Sequence, residues 1–68
     1  MFTHEVRCSA WRTAAGYDSE EEAIGAAVQT AVRHGISAEV WRADRDILCA
    51  TVSPRGEGLA LVSVEASS

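Results

Sequence analysis

Ser19-Glu20-Glu21-Glu22-Ala23-Ile24-Gly25-Ala26-Ala27-Val28-Gln29-Thr30-Ala31-Val32-Arg33-His34-Gly35 is the stretch that decides how this chain folds. It reads as one helix with both ends marked. Ser19 and Glu22 have the spacing of a capping box, in which the serine hydroxyl takes the Glu22 N–H and the glutamate reaches back. Three glutamates fill the first turn, where the helix dipole favours negative charge. Apolar residues recur at Ala23, Ile24, Ala27, Val28, Ala31 and Val32, on one half of a helical wheel. Glu22, Gly25, Ala26, Gln29, Thr30 and Arg33 occupy the other half. His34 lies in the last turn, and Gly35 fits the left-handed stop. The apolar face is mostly small, so the helix can lie close against a sheet. Gly25 costs about 1 kcal/mol of helix stability relative to alanine.

The flanking segments have the other period. Phe2 to Trp11 alternates, with Phe2, His4, Val6, Cys8 and Ala10 on one face and Thr3, Glu5, Arg7, Ser9 and Trp11 on the other. Residues 12–18 read as a connecting loop punctuated by Gly16. After the helix, Ile36 to Ala43 alternates, residues 43–46 read as a turn, and Ile47 to Ser53 is apolar and β-branched. Residues 53–58 read as a second turn around Pro54, and Leu59 to Glu65 is the last strand. The order is β-α-β-β-β. A parallel β-α-β step followed by an antiparallel meander is expected. The expected fold class is α+β, one helix packed on one face of a four-stranded mixed sheet. Residues 1–68 form a single domain, with 66–68 a frayed tail.

Parity assigns the faces. With Ile36, Ala38 and Val40 toward the helix, a three- or five-residue turn brings Leu48, Ala50 and Val52 beside them. The back of the sheet then holds Trp11, Trp41, Ile47, Cys49 and Thr51, together with half of the final strand, Leu59 and Leu61 or Val62 and Val64. One helix covers one face of a sheet, so this back face is expected to be an apolar patch with two tryptophans, with Arg7 and Arg42 at its rim.

Composition bounds the function. The chain has 68 residues, 47% hydrophobic, with a net charge of −4. That is a globular composition, and an acidic one argues against coating phosphate backbones. Its 12 alanines and 6 arginines, with no lysine, read as the GC-rich coding of a bacterial or phage gene. No apolar run reaches the roughly 18 residues of a membrane span, and no apolar leader follows Met1. The expected compartment is therefore the cytoplasm, where Cys8 and Cys49 stay reduced.

No catalytic constellation is legible. His4, Cys8, His34 and Cys49 have the count for tetrahedral zinc but lack the paired short spacings of a zinc site. A cysteine nucleophile needs a histidine in reach and a third orienting group, and nothing in the spacing supplies one. The glycines form no phosphate loop, and the serines no nucleophile elbow. The expected protein is thus not an enzyme and carries no cofactor. A chain this short has a marginal core and gains from association. The leading expectation is a small non-catalytic interaction or accessory module, self-associating as a homodimer or meeting another protein through Trp11, Trp41, Ile47, Leu61, Arg7 and Arg42. Two buried tryptophans per subunit offer roughly 7–12 kcal/mol gross. The alternative is a single-stranded nucleic-acid binder that stacks bases on Trp11 and Trp41 beside Arg7 and Arg42.

Overall fold

Helix α1 runs Glu20–His34, between the two caps that the sequence predicts. The Ser19 hydroxyl accepts the Glu22 N–H at 3.2 Å. At the other end Gly35 sits in the left-handed region (φ 66°), and its N–H donates to the Ala31 carbonyl at 2.9 Å. The computed structural model describes residues 2–65, so the expected tail at 66–68 lies outside the described residues. Around the helix stand β1 (His4–Cys8), β2 (Ala15–Tyr17), β3 (Ala38–Arg42), β4 (Ile47–Gly56) and β5 (Leu59–Val64).

The class is α+β, with one helix on one sheet. The sheet itself differs from the expectation. It has five strands in the order β2-β1-β3-β4-β5, and every neighbouring pair is antiparallel. The reason is β2, which falls inside the expected loop of residues 12–18. It turns back along β1 and pairs Tyr17 with His4 and Ala15 with Val6. The helix therefore leaves from β2, not from β1. It crosses over β1 to β3, and the expected parallel β1–β3 pair becomes antiparallel. Three residues are too few to show a period of two, so no alternation announces β2. Thr3 fastens it, since its N–H donates to the Tyr17 carbonyl at 3.1 Å and its hydroxyl to the Asp18 carbonyl at 2.7 Å.

A bulge sets the faces of β4. Val40 pairs with Ala50 but Trp41 pairs with Leu48, which leaves Cys49 as an extra residue. The turn before it, residues 43–46, is even in length. An even turn plus one bulged residue gives the parity of a five-residue turn, so Ala50 and Val52 point to the helix as expected. Below the bulge the faces exchange. Leu48 stands opposite Trp41, and Ile47 stands opposite Arg42 on the helix side. In a bulge of this kind both residues of the bulged strand point the same way. Cys49 accordingly packs against the core and not on the back face.

The β4–β5 connection is tighter than the expected six-residue turn. β4 runs on through Pro54 to Gly56, and the two residues Glu57 (φ 55°) and Gly58 (φ 76°) reverse the chain. Positive φ at both positions is the primed hairpin geometry that matches sheet twist. Pro54 is tolerated because Ala60, its partner, is a position without ladder hydrogen bonds, and β3 does not extend to it on the other side.

The core is made of small side chains. Val6, Ala38, Val40, Ala50 and Val52 from the sheet meet Ala23, Ala27 and Ala31 from the helix, each no more than 1% exposed. Alanines one turn apart bring the helix axis close to the strands. Thr30, expected on the outer half, is also buried, and its hydroxyl is satisfied by the Ala26 carbonyl at 2.9 Å. Val32, expected inside, is 39% exposed. No helix among the described residues is long and apolar enough to cross a membrane.

Candidate functional site

The helix contacts one face of the sheet and leaves the other open. Strand parity places Glu5 and Arg7 of β1, Glu39 and Trp41 of β3, Leu48, Thr51 and Ser53 of β4, and Leu61 and Ser63 of β5 on the open face. Arg7 is its centre. The guanidinium carbon lies 4.5 Å from the Trp41 ring centroid, a cation–π stack. Its Nε donates to Glu5 at 2.7 Å and a terminal nitrogen donates to both Glu5 and Asp46, the latter at 3.0 Å. The hydrogen bond that Arg7 donates to Glu5, and then the one it donates to Asp46, hold its pKa above the ordinary value. The Trp41 indole N–H donates to Glu39 at 3.2 Å. Each of Arg7, Glu5, Asp46, Trp41 and Glu39 thus already has a polar partner within the chain.

The expected site residues separate into three places. Arg7 and Trp41 are together on the open face. Leu61 is on that face too, opposite Ser53, and Ser53 lies five residues along β4 from Leu48. With the bulged Cys49 adding no step, that is about 13 Å along the sheet from the Trp41–Leu48 pair. Ile47 and Arg42 are paired on the helix side at the end of the sheet, and Arg42 Nε donates to Asp44 at 3.0 Å. Trp11 is on the other side of the sheet altogether. It packs against the core and lines a cleft with Tyr17, Ala26, Thr30 and Arg33 of the helix flank. The cause is the turn after β1, where the Trp11 N–H donates to the Cys8 carbonyl and strand alternation stops. The expected patch with two tryptophans is therefore not assembled, and Trp11 already serves the fold.

Phe2 joins the open face instead. A Cβ on Gly16 would meet the Phe2 ring at 2.2 Å, so the ring lies directly over that glycine, which pairs with Glu5. Aromatic cover of a strand glycine is a known stabiliser of sheet edges.

The soft ligands do not converge. Among the described residues no group of three or more His, Cys, Asp or Glu side chains is placed to hold a metal ion. Cys8 and Cys49 are both free. They stand on β1 and β4 with β3 between, about 10 Å apart across the sheet and beyond disulfide reach. Burial, and then the nearby Glu20 carboxylate, push the Cys49 thiol pKa up, with Arg42 opposing. A raised thiol is a weak nucleophile at neutral pH.

The last strand, apolar on both sides, is expected to lend Leu61 and one of its halves to the back-face patch, and its outer edge is not singled out by that pattern. Leu59, Leu61 and Val64 are 62%, 44% and 64% exposed. The signal was its lack of charge over residues 59–64. Comparison with known proteins finds no family model, no curated protein and no solved structure that matches the chain.

Proposed function

We propose that this chain is a small non-catalytic interaction module that associates with a second copy of itself through sheet surface the helix leaves uncovered. One observation carries the reading. The fully buried core consists of alanine and valine alone, while the large aliphatic side chains of β5 stay in water. A domain built this way gains from a partner what its own core does not supply.

The chemistry of the open face favours a protein over a nucleic acid. Stacking platforms combine several aromatics with free cations. Here Trp41 has one ring face under Arg7, and Trp11 is elsewhere. Arg7 and Arg42 are bound to Glu5, Asp46 and Asp44.

Thermal unfolding over a wide concentration range tests the proposal. Self-association ties the midpoint to protein concentration by mass action. A midpoint that rises from low to high micromolar protein supports the module as a homodimer. A midpoint independent of concentration contradicts it.

A further inference from the structure

We infer that a second copy of this chain adds strand to strand along the outer edge of β5, joining two five-stranded sheets into one. The inference rests on the self-association proposed above and names its surface. β5 is an end strand of the sheet. Its hydrogen-bond phase is fixed, because the Glu65 N–H donates to the Cys49 carbonyl at 2.8 Å. By antiparallel alternation Leu61 and Ser63 also bond to β4, and Ala60, Val62 and Val64 turn their N–H and C=O groups outward. Among the described residues nothing blunts this edge. It carries no charge and no proline, and its bulge lies back at Arg55, before the turn. Natural edges are normally protected by one of these devices. The opposite edge, β2, is only three residues long, and Phe2 lies over its glycine.

The helix adds an apolar border above the same edge. Ala26, Thr30 and Arg33 form the flank that faces Trp11 and Tyr17. The other flank presents Ile24 and Val28, packed on the same core as Ala60 and Val62. On the edge itself Val64 is 64% exposed.

Charge and register select a second copy. Two chains of net charge −4 repel wherever their charges meet. An uncharged edge lets identical acidic chains approach. With Val62 opposite Val62 of the second copy, Ala60 falls opposite Val64 in both directions, so all three outward residues are paired. Glu65 then lies opposite Leu59. A shift toward the turn would set Glu65 against Glu57. The two-fold axis stands perpendicular to the sheet. It puts both helices on one side and merges both open faces, each with its Arg7–Trp41 stack, on the other.

Amide hydrogen exchange on the intact chain at high micromolar concentration, with sedimentation of two variants, tests this. The Val62 and Val64 amides are expected to be protected although they face away from β4. Val64→Lys changes an exposed side chain and should fold, yet it should weaken association by about tenfold or more and release both amides. Trp41→Glu, on the open face, should leave association unchanged. A dimer with fast Val62 and Val64 amides overturns the inference, as does a dimer broken by Trp41→Glu and not by Val64→Lys; the homodimer then stands on another surface. A wild-type chain that stays monomeric overturns the homodimer and the edge together.

Discussion

Arg7 lies over Trp41, 4.5 Å from guanidinium carbon to ring centroid, although the two residues are on different strands and are not direct cross-strand partners. The Glu5 and Asp46 carboxylates hold the guanidinium in that position through Nε and one shared terminal nitrogen. The stack, not the tryptophan alone, is what the open face presents.

Removing the arginine should therefore be read by the tryptophan. In a Trp11→Phe background, where Trp41 is the only tryptophan, Arg7→Ala is expected to shift the tryptophan fluorescence to the red as one ring face gains water. Arg7→Lys should give an intermediate shift, because an ammonium lacks the planar group that stacks. Unchanged emission in both variants would mean that the stack does not persist in solution.

Gly25 is exposed, sits inside the helix, and would find no atom within 4 Å of an added Cβ. Gly25→Ala should stabilise the chain by about 0.5–1 kcal/mol through helix propensity alone. For a chain of this size that raises the thermal midpoint by roughly 2–8 °C. A lower midpoint would place a contact at Gly25 that the fold does not contain.

Ala27 is fully buried between the helix and the sheet. The close approach of the two layers leaves no room for a longer side chain. Ala27→Leu, though more hydrophobic, should destabilise by about 1–3 kcal/mol. Denaturant unfolding checks this, and a neutral or stabilising result would contradict the close-packed alanine seam.

These positions also show what the residue pattern held. The helix was legible to the residue, because Ser19, Glu22 and Gly35 are local signals with local causes. The inward set Val6, Ala38, Val40, Ala50 and Val52 was legible from alternation. Two features were not. β2 is too short to alternate, yet it reverses the strand direction relative to the helix and so makes the whole sheet antiparallel. The Cys49 bulge is invisible to a strict period of two, and it exchanged Ile47 with Leu48 on the open face. Trp11 departs from the pattern for a related reason: the alternation that would carry it to the open face stops at Cys8, where the chain turns.

Cys49 provides a pH test. Burial and Glu20 raise its thiol pKa. A group raised in the folded state lends stability that is complete below its unfolded pKa and is lost as pH rises through the folded one. In a Cys8→Ser variant, thiolate absorbance should therefore appear only above the ordinary thiol range, and Cys49→Ser should remove part of the alkaline loss of stability. Ionisation below the ordinary range would contradict the burial of Cys49 on the helix side.

Sedimentation equilibrium of the intact chain at high micromolar concentration tests the central claim most directly. The account predicts a mass twice the 7.2 kDa of one chain. A single species of 7.2 kDa would contradict it, leaving β5 as an edge that this protein keeps open in water.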